Sequence, residues 1–299
     1  MVGRVRAGLG DTGLSCAAIE ARVERFAAMG TRIELHLFGG GDPDALSRAR
    51  HAIEAVDDAL TIHRPSPATA INHCLASGRS APIDDPILLD ALAGVAAAWP
   101  MTEGLFDPTV GVVGETGGWP LVTIDRRAGR IAASRPLAFD FGGFGKGYAL
   151  DRAGDVLRAG GATSAFLCAG ESSIAVLGAH PLGGKWPLTV PHPLAPEETL
   201  VALELEDEAL SISSTVGAGA HAPWRAPMVR PIVGAIVTAA TTTVAVERSG
   251  AAAEAMSTAL LVADAAAAGR LGRAAPGRRH RFLFAGGMSE SRISAGSIR

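Results

Sequence analysis

One glycine-rich stretch of the sequence combines residue types that suit the binding of a phosphate group. It runs from Asp140 to Asp151 and reads DFGGFGKGYALD, with four glycines in six positions. The apolar residues 137–139 before it predict the end of a strand, and residues 149–157 after it have helical spacing. Backbone N–H groups exposed at such a strand-to-helix turn attract anions, and Lys146 would add a positive charge beside them. A tight turn with a solvated lysine is the alternative interpretation, because glycine-rich turns are common.

This stretch does not match the common nucleotide-binding motifs. It lacks the G-x-G-x-x-G spacing of dinucleotide-binding folds, and Gly147 stands where a P-loop has Ser or Thr. It resembles instead the central motif of the ApbE family, the FAD:protein FMN transferases. The resemblance implies that Asp140 and Lys146 contact the flavin nucleotide and that the backbone carbonyl of Gly143 binds Mg²⁺. It also implies a mixed α/β (α+β) fold with two lobes, mainly antiparallel sheets and a flavin cleft between the lobes.

Composition argues against several other classes of protein. Lys and Arg number 27 and Asp and Glu number 30, and this near-neutral balance gives no support for a nucleic-acid partner. The three cysteines, Cys16, Cys74 and Cys168, form no C-x-x-C pair and indicate neither a disulfide framework nor a structural zinc site. The apolar run 251–268 is interrupted by acidic residues and is too polar for a membrane segment. The first residues lack the continuous apolar segment of a signal peptide, so we expect a cytoplasmic protein.

The resemblance covers most of the chain and suggests a division into three parts. Residues 1–20 are predicted to be a loose N-terminal leader, residues 21–285 to form the ApbE-like flavin transferase domain, and residues 286–299 to form a C-terminal tail. Within the domain, apolar periodicity predicts a series of helices and strands. The predicted helices are 44–62, 84–98 and 249–271, and the predicted strands are 26–38, 165–169, 200–205, 209–213 and 241–246, with a hairpin at 120–135.

Two positions in the N-terminal part are assigned to the flavin only through the family resemblance. Met29 begins a Met-Gly-Thr triplet that relatives also carry before the first strand, where the methionine lines the flavin site. His63 occupies the position at which relatives have a tyrosine that stacks on the isoalloxazine ring. An imidazole can also stack, but over a smaller area. A surface histidine before a proline turn is the alternative interpretation.

Two further short motifs resemble segments of the family that contact the flavin. The sequence FDPTVG at 106–111 resembles the family's Phe-Asn/Asp-Pro-Thr-Val-Gly, which implies that Phe106 and Asp107 contact the cofactor. A carboxylate held by the following proline can accept hydrogen bonds from a flavin edge or a ribose. A mere turn former is the alternative for Asp107. The sequence GESS that follows the predicted strand 165–169 resembles a family strand end, which assigns Glu171 and Ser172 to the same ligand.

An alanine-rich predicted helix carries the second half of the implied metal site. Glu254 and Thr258 are four residues apart and therefore project from one face of that helix. Relatives bind magnesium there with an Asp-x-x-x-Thr pair. The resemblance thus implies that Glu254, Thr258 and the carbonyl of Gly143 supply the oxygen ligands that Mg²⁺ prefers. Without the resemblance, these two helix residues would be interpreted as part of a solvated face.

The sequence departs from the family pattern in the segment that handles the acceptor substrate. Relatives carry His-x-x-Asp-Pro-Arg-Thr-Gly, whereas residues 227–234 read PMVRPIVG, so Pro227 replaces the histidine that is thought to act as the base. His221, six residues earlier, is the alternative base. The flavin-holding motifs are therefore better preserved than those that handle transfer.

The reaction implied by the resemblance is that of an FAD:protein FMN transferase. Mg²⁺ and Lys146 would neutralise the pyrophosphate of FAD, a Thr or Ser hydroxyl of a partner flavoprotein would attack, and AMP would leave. Lys146 and His221 are the predicted catalytic residues. Because the base segment is altered, two alternatives stay open. These are a non-catalytic FAD-binding protein of the same fold, and a Mg²⁺-dependent FAD pyrophosphatase that uses water in place of the acceptor.

Overall fold

The computed structural model describes residues 6–7, 21–109, 116–216 and 228–284 of the chain. The predicted tail, most of the predicted leader and the predicted base His221 lie outside the described residues. Of the leader, residues 6–7 form a short strand that pairs antiparallel with residues 188–189. The division of the chain into leader, domain and tail therefore stays a prediction.

Six α-helices and thirteen β-strands occur within these described ranges. The helices are α1 (Ala45–Leu60), α2 (Pro67–Ala76), α3 (Pro86–Met101), α4 (Gly145–Ala159), α5 (Gly250–Val262) and α6 (Ala265–Ala274). The strands are β1 (Arg6–Ala7), β2 (Ala21–Ala28), β3 (Thr31–Phe38), β4 (Ala81–Pro82), β5 (Val122–Asp125), β6 (Arg130–Ala133), β7 (Ser164–Ala169), β8 (Ser173–Leu177), β9 (Trp186–Pro191), β10 (Thr199–Leu205), β11 (Ala209–Ser214), β12 (Ala240–Glu247) and β13 (Arg279–Phe284).

The strands form one large sheet and two small ones. The large sheet has seven strands in the order β13-β12-β11-β8-β7-β3-β2. The small sheets have the orders β1-β9-β10 and β4-β6-β5. All strand pairs of these sheets are antiparallel in the described part of the chain. The predicted mixed α/β fold with mainly antiparallel sheets is confirmed.

Two apolar clusters pack on opposite faces of the seven-stranded sheet. On β3, Ile33, Leu35 and Leu37 are buried in the cluster that the helices complete. Phe38 points the other way and packs on Trp186 of the small β1-β9-β10 sheet, with ring centroids 5.7 Å apart. The alternation of side chains along a strand explains this division. The large sheet is therefore covered by helices on one face and by a small sheet on the other.

Two predicted elements divide into two in the structure. The predicted strand 26–38 is a hairpin, in which Met29 and Gly30 form the turn between β2 and β3, both with positive φ. The predicted helix 249–271 separates into α5 and α6, because Asp264 accepts a hydrogen bond of 2.8 Å from the N–H of Ala267 and caps a new helix. In the described ranges, no helix is both long and apolar enough to cross a bilayer.

The prediction of a strand end at residues 137–139 is wrong. These residues belong to no strand, and the side chain of Asn72 takes the place of a neighbouring strand. The amide of Asn72 donates to the carbonyl of Phe139 at 2.8 Å and accepts from its N–H at 2.7 Å. It thus pairs with both backbone groups of this residue, as a neighbouring strand would. This contact from α2 holds the chain immediately before the glycine-rich turn.

Candidate functional site

A cavity of about 540 Å³ lies where the glycine-rich turn, the segment 105–108, strand β11 and helix α5 meet. Residues 228–231 contribute to its lining as well. Its volume lies in the range typical of small-molecule sites. The polar and charged residues that line it are Asp107, Asp140, Lys146, Ser172, Ser211, Ser213, Ser214, Glu254 and Thr258. Most of the predicted site residues are therefore brought together in one place.

Helices α4 and α5 approach each other through a pair of glycines. A Cβ atom built on Gly147 would overlap the carbonyl oxygen of Gly250, and one built on Gly250 would lie 2.5 Å from the carbonyl oxygen of Gly147. A side chain at either position would force the helices apart, so this contact requires glycine. Because Lys146 precedes one contact point and Glu254 follows the other by one turn, the crossing brings these two charged side chains together.

The carboxylate of Asp151 fixes the same helix crossing. It accepts hydrogen bonds from the backbone N–H groups of Gly250 and Ala251 at 2.6 and 2.9 Å, and it thereby caps the first turn of α5 from α4. Burial raises the pKa of Asp151 to about 6, although these two N–H groups act in the opposite direction. Sequence reasoning missed this role, because nothing in the spacing indicates a capping partner 100 residues away.

Glu254 is almost fully buried, with 2 % of its surface exposed. Its Oε1 atom lies 2.6 Å from Nζ of Lys146 and accepts a hydrogen bond of 2.5 Å from the hydroxyl of Ser173. Its Oε2 atom is buried and has no hydrogen-bond partner among the described residues. A buried carboxylate oxygen without a partner is costly. This atom is therefore the clearest indication of a ligand that these residues do not supply.

The other two predicted metal ligands lie next to each other. A Cβ atom built on Gly143 would lie 2.9 Å from Oγ1 of Thr258, so the turn and α5 are in close contact here. Thr258 and Glu254 are one turn apart on α5 and both line the cavity. A carboxylate, a hydroxyl and a carbonyl oxygen form a hard donor set that fits Mg²⁺. The described ranges contain no group of three or more His, Cys, Asp or Glu side chains that could hold a metal, so a cation here depends on this mixed set.

A network of hydroxyl groups holds α5 against the large sheet. The Oγ atom of Ser257 lies 3.0 Å from that of Ser211 and 2.8 Å from that of Ser213. The hydroxyl of Thr243 donates to the carbonyl of Ser257 at 2.7 Å. Sequence reasoning missed these residues, because strand alternation does not reveal which polar side chains face a helix. The network fixes the face of α5 that carries the predicted metal ligands.

Asp107 lines the cavity but is already hydrogen-bonded within the chain. Its Oδ1 atom accepts from the N–H and the hydroxyl of Thr109 at 2.9 and 2.6 Å, and its Oδ2 atom accepts from the N–H of Trp119 at 3.1 Å. These bonds support the alternative role of Asp107 as a turn former. Phe106 is buried and stacks on Phe144 of the glycine-rich turn.

Asp140 holds the glycine-rich turn from its N-terminal side. Its backbone N–H donates to the carbonyl of Pro108 at 2.7 Å, and its Oδ1 atom accepts from the N–H of Gly142 at 2.8 Å. The side chain is exposed and lines the cavity. A ligand in the cavity can therefore reach this carboxylate.

Three predicted flavin contacts do not line this cavity in the described residues: Met29, His63 and Glu171. Met29 lies in the turn between β2 and β3 with a φ of 54°, and its Cε atom approaches Gly145. His63 is exposed in the loop between α1 and α2. Glu171 has a φ of 64° in the turn after β7, next to Ser172, which does line the cavity. The assignment of Met29, His63 and Glu171 to the flavin stays a prediction.

The sequence of residues 29–280 matches the ApbE family. The chain belongs to this family. The ApbE match spans the predicted site residues from Met29 to Thr258, including the glycine-rich turn and the Glu254–Thr258 pair. The family resemblance of the sequence motifs is therefore confirmed.

Solved structures with the same fold carry the ApbE name. The chain is similar to the flavin transferase ApbE from Vibrio cholerae, with 18% identity and a TM-score of 0.73 over 89% of this chain and 93% of that one. It is similar to the ApbE protein from Thermotoga maritima, with 19% identity and a TM-score of 0.76 over 91% and 97%. It is also similar to the flavinyl transferase ApbE from Pseudomonas stutzeri, with 22% identity and a TM-score of 0.70 over 90% and 92%. A search of curated proteins finds no match.

The segment that departs from the ApbE motif lines the cavity with apolar side chains. Met228, Val229 and Pro231 face it, and Val229 pairs with Ile236 in an antiparallel bridge. The carbonyl of Pro231 accepts a hydrogen bond of 2.7 Å from the N–H of Gly117. In the described part of the chain, no histidine lines the cavity.

Proposed function

We propose that this ApbE-family chain is an FAD:protein FMN transferase that depends on Mg²⁺. The observation that carries the proposal is the buried Oε2 atom of Glu254, which has no hydrogen-bond partner among the described residues and lies in the same cavity as Lys146 and the glycine-rich turn. A free hard oxygen next to an ammonium group suits a site that takes both a divalent cation and an anionic phosphate. The names of the similar structures, which describe flavin transferases, support the same reaction class.

The residues of the cavity divide the work of binding FAD. Glu254, Thr258 and the carbonyl of Gly143 would hold Mg²⁺, which when bound neutralises the pyrophosphate and polarises the phosphorus that is transferred. Lys146 supplies a further positive charge from the first turn of α4. Phe106 contributes an aromatic surface to the lining. The cavity is in this proposal the flavin cleft between two lobes.

The transfer breaks the phosphoanhydride bond of FAD and forms a phosphoester bond to the acceptor. The hydroxyl oxygen of a Thr or Ser on a partner flavoprotein forms a bond to the phosphorus of the FMN half. The bond from that phosphorus to the bridging oxygen breaks, and AMP leaves with the electron pair. The hydroxyl proton passes to a base, for which His221 is the proposed residue; it lies outside the described residues.

The test is incubation of the purified protein with FAD, MgCl₂ and an acceptor protein that presents an accessible threonine. We expect AMP in the supernatant and covalent flavin fluorescence on the denatured acceptor. Glu254→Gln keeps the shape but removes the charge, and it should slow both products by on the order of 100-fold. Glu197→Gln changes an exposed glutamate away from the cavity and is the matched control. Absence of both products with the unmodified protein would refute the proposal.

A second candidate function is FAD binding or hydrolysis without transfer to a protein. The apolar wall formed by Met228, Val229 and Pro231 favours it, because these side chains offer no base to an acceptor hydroxyl. Free FMN and AMP formed without an acceptor would indicate hydrolysis. Bound FAD that stays intact with and without the acceptor would indicate a binding protein.

A further inference from the structure

The buried carboxylate of Glu254 already has a cation of its own. Lys146 lies 2.6 Å from Oε1, and its side chain is 24% exposed, whereas the side chain of Glu254 is 3% exposed. The carboxylate is held by Ser173 and by the packing of α5. The lysine side chain is flexible and lines the cavity, so its ammonium group can move into that space. The ion pair therefore joins a fixed anion to a cation that can move.

A divalent cation bound to Oε2 of Glu254 would lie close to the ammonium group of Lys146. Oε2 has no partner among the described residues, but it belongs to the same carboxylate that holds the ammonium. One negative charge would then face three positive charges in a largely desolvated place, where like charges repel strongly. Asp107 and Asp140 also line the cavity, but neither forms an ion pair with Lys146 in the described part of the chain. Lys146 and the divalent cation would therefore share the carboxylate of Glu254.

We propose that Lys146 is a built-in competitor of the divalent cation, so that the cation binds tightly only together with a pyrophosphate. The doubly negative pyrophosphate balances the excess charge and offers Lys146 a second anionic partner. This inference rests on the proposed function for its choice of ligand. Because coupling between two ligands is reciprocal, the pyrophosphate strengthens cation binding by the same factor by which the cation strengthens pyrophosphate binding.

The first experiment uses the unmodified protein. The sequence contains two lysines, Lys146 and Lys185, so protein labelled with ¹³C at lysine Cε gives two side-chain NMR signals. Lys185 is exposed, does not line the cavity and serves as the internal control. Mg²⁺ is titrated with and without ADP, which carries a pyrophosphate but no flavin, and shifts are plotted against free Mg²⁺. We expect only the Lys146 signal to respond, with a midpoint roughly tenfold or more lower when ADP is present. Equal midpoints with and without ADP would overturn the inference.

The second experiment removes the competitor. Calorimetric titration with Mn²⁺ in the absence of nucleotide compares the unmodified protein with Lys146→Met and with the control Lys185→Met. We expect Lys146→Met to bind Mn²⁺ about tenfold or more tightly, with no change for the control. Equal affinities in all three proteins would contradict the proposal, and the NMR titration decides if Lys146→Met does not fold.

The outcome separates this inference from the proposed function. Tighter Mn²⁺ binding by Lys146→Met without any AMP release from FAD would support the competition while the transferase assignment failed. The opposite outcome is covalent flavin transfer by a protein whose cation affinity changes neither with ADP nor with Lys146→Met. This result would leave the transferase assignment intact and refute the competition.

Discussion

Replacing Asp151 with asparagine tests whether burial or helix capping dominates the energetics of the α4–α5 crossing. The carboxylate accepts two N–H groups at the start of α5, and these favour its charged form, but burial raises its pKa from the ordinary 3.8 to about 6. A pKa raised on folding means that the folded state binds more protons than the unfolded state between these two values. The stability that this group contributes is therefore fully present below about pH 4 and is lost as the pH rises through about 6. The difference corresponds to roughly 3 kcal/mol.

The amide that Asp151→Asn introduces cannot ionise, so the variant lacks this pH dependence. Urea unfolding of Asp151→Asn and of the unmodified protein, measured from pH 4 to pH 8, isolates the group because other titrations cancel in the difference. We expect the variant to gain stability relative to the unmodified protein as the pH rises, by roughly 3 kcal/mol at the plateau above pH 7. If the variant instead loses relative stability over this range, the helix N-terminus outweighs burial and the reasoning is wrong.

Three further substitutions test the contacts that build the site. Gly147→Ala should lower the free energy of unfolding by about 2 kcal/mol or more in urea titrations, because its Cβ would overlap a backbone carbonyl. Gly40→Ala, whose Cβ meets no atom within 4 Å, should change it little. Asn72→Ala should cost roughly 2–3 kcal/mol in thermal unfolding, because two hydrogen bonds to the backbone are lost; an unchanged Tm would contradict this. Ser173→Ala should cost about 1–3 kcal/mol, and Mg²⁺ should restore part of the loss, whereas a Mg²⁺-insensitive loss would argue against Glu254 as a metal ligand.

The sequence predicts the longer amphipathic elements to within a few residues. Helices α1 and α3 carry apolar residues at helical spacing, and they begin directly after Asp44 and Asp85. The apolar periodicity and the acidic residue before the first turn therefore indicate the same helix start. Helix α2 is short and is missed by periodicity alone. Its capping box, in which Ser66 and Thr69 bond to each other's backbone N–H groups, is a local signal that indicates its start.

The site is predictable where a local motif carries it and unpredictable where distant segments meet. The glycine-rich turn and the Glu254–Thr258 spacing are visible in the sequence, and the family resemblance links them. The burial of Glu254 is not visible, because an alanine-rich helix gives no apolar stripe that marks the inward face. The cap from Asp151 and the partner of Asn72 depend on tertiary contacts over 100 and 67 residues, which no local pattern encodes.

The outermost strands of the seven-stranded sheet, β2 and β13, both carry arginines along their length. An unpaired strand edge offers free backbone donors and acceptors to any other strand, and charged side chains there discourage such pairing. In the described part of the chain, Arg25 on β2 has a side chain that is 60% exposed and thus disfavours pairing of this edge with another copy, whereas Arg279 on β13 is largely buried against Glu247. We expect Arg25→Val to promote self-association of the protein through this strand edge in concentrated solution.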